Sequence, residues 1–252
     1  MNNISYKHIY ESGKIVKQTP QWIHIHNPEM LLQYDSNYIE FLSMPTKEEF
    51  SEAEAYLLNF HQKTGQNHLK FVFPENEMLT KDLIEELVSK KQYDIGFTEL
   101  YAIKPTQFPS IKTDPDILIQ KVEKENFEDF LKLEYKQDIE YGEAFAKGKR
   151  NAYQQNQKDD SVIQVIAYYK GQPAGALELL LAEYTAEIDG LFVLEEFQRK
   201  GIATRLQKFV MDCCSDKTVI LLADGDDTPK EMYKKQNYTF QGFQYESLKE
   251  KF

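Results

Sequence analysis

The segment Gln198–Arg199–Lys200–Gly201–Ile202–Ala203 has residue types suited to one chemical task. It joins an apolar, β-prone run, Ala186–Leu194, to a stretch with helical spacing. The first turn of a helix leaves backbone N–H groups without intrahelical partners, and the macrodipole places about half a positive charge there. Gly201 and Ala203 carry little or no side chain, so a phosphate can come close to those amides. Arg199 and Lys200 bring charge to the same point in an otherwise acidic chain. The segment therefore reads as a diphosphate site. The sequence contains neither G-x-G-x-x-G nor G-x-x-x-x-G-K-[ST], so a dinucleotide fingerprint and nucleotide hydrolysis are not supported.

Val193-x-x-x-x-Gln198-x-x-Gly201-x-Ala203 resembles the Q/R-x-x-G-x-G/A signature of the GNAT superfamily of acyl-CoA-dependent N-acyltransferases. The order of elements from roughly Ile117 to Leu248 is similar to that superfamily's, whereas the first half is similar only in topology. The resemblance implies acetyl-CoA as co-substrate, its pyrophosphate on the amides of Arg199, Lys200, Gly201, Ile202, Ala203 and Thr204. It also implies a pantetheine arm pairing with backbone near Phe192 and Val193 like an added strand, with Gln198 part of the same site. Where the superfamily often places an asparagine on that arm, this chain offers Asp226 and Asp227. An ionised aspartate accepts a hydrogen bond but cannot donate one, so an Asp226 contact would have to differ.

Acyl transfer to an amine needs a base for the ammonium proton and an acid for the departing thiolate. Asp227–Tyr233 resembles the superfamily's corresponding helix, which implies Tyr233 as the acid. Glu187 lies eleven residues before Gln198, where histone-acetyltransferase-type members carry a catalytic glutamate. A carboxylate on a mostly buried strand has a raised pKa, which suits a base. Equally open are a solvent-facing strand end, a cation contact, or an ordered water as base. Alternation puts Glu187 and Asp189 on one face with Leu191 and Val193. His24 and His26 have i, i+2 spacing, but no accompanying Cys or carboxylate pattern makes them ligands, and no metal site is expected. Cys213 is expected in the core, and neither it nor Cys214 lies near a helix N-terminus that would activate a thiolate.

These residues need a scaffold. Pro105, Pro109 and Pro115 mark a linker, dividing the chain into residues 1–112 and 113–252. In the first half, Tyr38–Leu42, His68–Phe73 and Ile95–Ile103 read as strands. Thr46 and Glu49 form a capping-box pattern ahead of Phe50, Ala53, Leu57 and Phe60. Leu79–Lys91 reads as a helix with Leu83, Leu87 and Val88 inward. In the second half a strand at Ile117–Val122 precedes a helix capped by Asn126, and Gly142–Asp160 reads as a polar stretch without regular structure. Val162–Tyr169 and Ala174–Leu181 form a hairpin, Gln198–Asp212 an amphipathic helix, Thr218–Ala223 a buried strand, Thr228–Lys235 a helix and Tyr238–Leu248 a closing strand. The pattern predicts an α+β fold with a mixed sheet flanked by helices, and the resemblance implies a twisted GNAT-like sheet in tandem with a smaller, degenerate GNAT-like first half. Lys90–Lys91–Gln92–Tyr93 and Lys234–Lys235–Gln236–Asn237–Tyr238 echo one another, as a duplication would leave them.

The chain has 252 residues and a formal net charge of −11, which argues against a broad nucleic-acid or anionic-membrane surface. No apolar run approaches the ~18 residues of a membrane span, no leader pattern opens the chain, and the two adjacent cysteines provide no disulfide framework. The expectation is a cytoplasmic acetyltransferase acting on an amine of a small molecule or peptide by direct attack. The alternatives are a non-catalytic CoA-binding or sensing module and an enzyme with a different acyl donor. The composition suggests a cationic acceptor and leaves the oligomeric state open.

Overall fold

The computed structural model describes residues 4–225 and 230–251. Its first half runs β1 (Lys14–Gln18), β2 (Trp22–His26), β3 (Tyr38–Phe41), α1 (Lys47–Thr64), β4 (His68–Val72), α2 (Lys81–Ile84) and β5 (Asp94–Ile103). The second half runs β6 (Ile117–Lys121), α3 (Phe127–Asp138), α4 (Glu143–Asn156), β7 (Val162–Tyr169), β8 (Gln172–Leu181), β9 (Thr185–Val193), α5 (Ile202–Cys213), β10 (Thr218–Asp224), α6 (Lys230–Lys235) and β11 (Thr239–Glu250).

All eleven described strands form one sheet, in the order β1-β2-β3-β4-β11-β5-β10-β9-β8-β7-β6. Two pairs are parallel, β3 with β4 and β9 with β10, and every other neighbour is antiparallel. The order is nearly symmetric about the β11–β5 pair. Each half builds hairpin strands, a parallel crossover and a last long strand, and the two last strands lie side by side at the centre. There β11 pairs with β4 of the first half, and β5 pairs with β10 of the second. The Lys-Lys-Gln echo lies at these exchange points. Gln92 (φ 58°) and Asn237 (φ 67°) both turn the chain in the left-handed region, and buried Tyr93 and Tyr238 follow them.

Helices cover both faces. Ile202, Leu206 and Val210 recur at helical spacing and bury α5 against β7, β8 and β9. On the opposite face Phe130, Leu131 and Tyr153 bring α3 and α4 onto Ile166 and Ala176. In the first half Phe50, Ala53 and Leu57 of α1 pack on Phe41, Phe71 and Phe73. The hairpin turn Lys170–Gly171 has φ 49° and 79°, the two left-handed residues that a tight turn between twisted strands requires.

The structure departs from the sequence pattern in identifiable places. Gly142–Asp160 contains α4, whose only buried residues are Ala146 and Tyr153, too few to give a periodic signal. Strands β1 and β2 also lacked a signal, because β1 is exposed throughout and β2 buries histidines where a pattern expects apolar groups. After α2 the chain widens into a π-helical turn, Glu85–Lys90, which keeps Leu83 and Leu87 inside but rotates Val88 to 47% exposure. Cys213 is exposed and Cys214 buried, because the helix ends at Cys213 and the next residue folds back. His24 and His26 do share one face of β2, where both are buried with their rings edge-on to Phe60.

Candidate active site between the central strands

The cleft begins with a mismatch in strand pairing. β9 pairs in parallel with β10 from Thr185–Thr218 to Ile188–Leu221 and no further, although β9 runs to Val193 and β10 to Asp224. Beyond Ile188 no described strand pairs with the β10-facing edge of β9. A cavity of about 130 Å³ occupies the gap, lined by Glu187, Asp189, Gly190, Leu191, Leu221 and Tyr233 among others. On its other side β9 carries a bulge. Ala176 pairs with Phe192 and Glu178 with Asp189, so β9 has one residue more than β8 over this interval. Gly190, at φ 60°, takes up that residue without a side-chain penalty.

The bulge corrects the expected facing. One extra residue reverses the alternation, so Leu191 and Val193 join Ala186 and Ile188 in the core beneath α5. Phe192 packs on the α3 side. Glu187 and Asp189 therefore face away from Leu191 and Val193, contrary to the strict period-two reading.

Past β9, a single 3-10 turn at Glu195–Phe197 leads into the basic loop. Helix α5 begins at Ile202, four residues later than its pattern suggested, which leaves Gln198, Arg199 and Lys200 exposed in the loop. Gln198 Nε2 donates to the Val193 carbonyl at 3.2 Å, tying the loop to the strand end. Lys200 Nζ donates to the Glu196 carbonyl at 2.8 Å. Arg199 (φ 60°) and Gly201 (φ 76°) are both left-handed, an alternation that turns successive amides into a concavity. At Gly201 a Cβ would lie 2.6 Å from Nη1 of Arg205, whose guanidinium donates to the Gly201 carbonyl at 3.1 Å and to that of Lys112 at 2.8 Å.

Among the described residues no side chain caps the N-terminus of α5. The corresponding helix of the first half differs. In α1, Thr46 Oγ1 accepts from the Glu49 amide at 3.1 Å, and Glu49 Oε2 accepts from the Thr46 amide at 2.8 Å. The first half closes its helix start with its own side chains, and the start of α5 has no such cap among the described residues. Thr204 accepts from Gln236 Nε2 through its hydroxyl, at 3.3 Å.

Tyr233 is 7% exposed on α6, its ring 5.2 Å from that of Tyr101 and 5.5 Å from that of Tyr238. Asp226 and Asp227 lie outside the described residues. Glu187 is buried, and its Oε2 accepts from the backbone amide of Tyr10 at 2.7 Å. Burial, reinforced by the Asp189 charge, pushes its carboxyl up to about 8 despite that hydrogen bond. Asp189 is reachable by solvent but crowded by protein, which raises its carboxyl too, with Lys149 opposing. Glu187 and Tyr233 thus line the same cleft, and the basic loop lies at the end of the strand that carries Glu187. Sequence reasoning missed Tyr10, which acts through its backbone and leaves no residue-type signal. Gly190 was legible only as a glycine within a strand.

A model of the GNAT acetyltransferase family matches residues 121–238, and a domain of unknown function, DUF5613, matches residues 4–101. Residues 121–238 belong to the GNAT family. A functionally unknown conserved protein from Staphylococcus epidermidis is similar over the whole chain, with 32% identity, a TM-score of 0.90 and coverage of 99% of this chain and 98% of that one. A GCN5-related N-acetyltransferase from Kribbella flavida shares the fold at 12% identity and a TM-score of 0.61, over 94% of this chain and 89% of its own. A tandem GNAT protein from the clavulanic acid biosynthesis pathway does so at 10% identity and a TM-score of 0.54, over 84% and 75%. No curated protein matches the sequence. The chain accordingly has a mixed α/β fold of tandem GNAT type, with the family match confined to its second half. Among its described residues no helix is long and apolar enough to cross a membrane.

Proposed function

We propose that the second half of the chain, residues 113–252, binds acetyl-CoA and transfers its acetyl group to a primary amine by direct attack, within the cytoplasm. The observation that carries this reading is the start of α5, without a side-chain cap among the described residues, next to the stretch of β9 that β10 does not pair with. The diphosphate would rest on the amides from Arg199 to Thr204, with Gly201 giving it room and Arg199 and Lys200 supplying charge. Phe192 and Val193 would pair through their backbone with the amide-bearing arm, as an added strand pairs with a sheet edge.

Glu187 would take the proton from the acceptor ammonium, since only the neutral amine carries a lone pair for the thioester carbonyl. The amine nitrogen bonds to the acyl carbon, the carbon–sulfur bond breaks, Tyr233 hands a proton to the leaving thiolate, and the nitrogen gives up its second proton, which returns through water to the Tyr233 oxygen. Nothing needs to be oxidised or reduced. The first half, residues 1–112, would bind no carrier of its own, because it lacks the Gln-x-x-Gly-x-Ala loop and because Thr46 and Glu49 already occupy the start of α1.

Calorimetry tests the reading. Acetyl-CoA should bind the intact protein at one site, and Gly201→Glu, which places a carboxylate among the phosphate-facing amides, should abolish binding while leaving the far-UV circular dichroism unchanged. Two equal sites, or undisturbed binding by the variant, would overturn it. An acetyl-CoA binder that releases no thiol with any amine would be a sensing module instead.

A further inference from the structure

Glu187 has a second side. Besides the cleft it shares with Tyr233, it forms part of a larger cavity of about 390 Å³, within the size range of small-molecule sites. One wall comes from the sheet. Val162, Leu180 and Glu187 are directly opposed across β7, β8 and β9, and so share one face. The other wall is the segment Lys7–Glu11 from the first half of the chain.

That segment is a strap fixed at both ends. Ile4 is buried against Leu100 and Ile220, and the Tyr6 hydroxyl donates to the Thr98 carbonyl at 2.7 Å. At the far end Glu11 accepts from the Tyr38 hydroxyl at 2.5 Å and from the Gly13 amide at 2.7 Å. Between these anchors Tyr10 gives its amide to Glu187 while its side chain stays 55% exposed at the cavity mouth.

The acidic and basic side chains that line the cavity are Lys7, His8, Glu11, Glu183 and Glu187, and Glu183 is exposed, with its side chain hydrogen-bonded to Tyr184. Glu11 is engaged as described. On the neighbouring rung of the same sheet face, Glu178 is closed off by Asn156 Nδ2 at 3.1 Å and Gln164 Nε2 at 2.9 Å. At the floor stands a single carboxyl, Glu187, between an apolar wall and the transfer cleft, with Asp189 two residues further toward that cleft. One ammonium has a partner there. A second, further up the cavity, would meet the apolar surfaces of Val162, Leu180 and Ile9 and the like charge of Lys7, and the other carboxylates of the lining, Glu11 and Glu183, are already engaged by Tyr38 and Tyr184.

We propose that this cavity is the acceptor site and takes a primary amine of one positive charge with an apolar or aromatic body, its ammonium at Glu187 and its body between the strap and the β7–β8 wall. The inference rests on the acetyltransferase reading and narrows it, because the overall negative charge alone would equally favour a polycation. It also gives the first half a task, since the strap that completes the site comes from it.

The experiment uses the full chain with acetyl-CoA, reading thiol release with 2-phenylethylamine and with spermidine as acceptors. 2-Phenylethylamine should show a kcat/KM at least tenfold higher. Tyr10→Ala, which opens the mouth, and Val162→Arg, which fills the apolar wall, should each raise its KM at least tenfold. Acetyl-CoA affinity, measured by calorimetry, should stay within twofold. Tyr10 is exposed, so its variant keeps the test alive if Val162→Arg does not fold. Preference for spermidine, or an unchanged KM in the variants, would overturn the site while leaving the acetyltransferase reading intact. Failure of acetyl-CoA to bind, or no thiol release with any amine, would remove that reading and this site with it.

Discussion

At the level of single residues, the assignment turns on the protonation of Glu187. Its carboxyl is held at about 8, chiefly by burial, so near neutral pH most molecules carry it protonated and unable to accept a proton. As pH rises through about 8 the carboxylate forms, and kcat/KM should rise with it. Glu187→Gln should lower kcat/KM by about 10²–10⁴, the usual contribution of a general base, and should remove the rise near pH 8. Tyr233→Phe should instead lower kcat across the whole range with acetyl-CoA binding retained. Matching pH–rate profiles for wild type and Glu187→Gln would exclude Glu187 as the base, and an unchanged kcat would exclude Tyr233. The residue type of Glu187 was legible in the sequence, and so was a raised pKa on a buried strand. Its facing was not. Whether a strand residue points up or down depends on every residue being paired in register, and the bulge at Gly190 breaks that count without any mark beyond one glycine.

Among the elements, the two parallel crossovers make an internal control. Both α1 and α5 follow the first strand of a parallel pair, yet α1 is capped by Thr46 and Glu49 and α5 is not capped by any side chain among the described residues. The capping box was readable because its chemistry is local, with two side chains and two amides within four residues. The amphipathic face of α5 was readable for the same reason. Elements held by tertiary partners were not, as α4 shows, since its Tyr153 matters through its bond to Glu134 on another helix. The control has a measurable consequence. Thr46→Ala should destabilise the protein by about 1 kcal/mol, and the melting temperature should fall by roughly 2–4 °C. The acetyl-CoA stoichiometry should remain one with unchanged affinity, because freeing one amide does not supply the loop geometry of Arg199–Gly201. A second binding site in this variant would show that the cap alone keeps the first half silent.

For the whole molecule, the sequence boundary near residue 112 and the boundary of folding do not coincide. We propose residues 1–112 and 113–252 as the duplicated units, but neither owns a complete sheet. Without the first half, β10 loses its antiparallel partner β5 along Val219–Asp224, and β11 loses both of its neighbours, β4 and β5. What would be exposed is the centre of the structure. Leu100, Ala102 and Ile103 on β5 are at most 1% exposed, and Val219 and Ile220 on β10 are fully buried. An open edge of that kind leaves unpaired amides and carbonyls beside apolar side chains, which favours aggregation over folding. Residues 113–252 expressed alone should therefore fail to give a cooperative thermal transition and should aggregate, and residues 1–112 should do the same. The two fragments expressed together should recover one 1:1 complex that co-elutes with the intact protein on size exclusion, with acetyl-CoA binding restored. If the isolated second half melts cooperatively and binds acetyl-CoA, the central strands are dispensable, and the first half contributes no more than the strap.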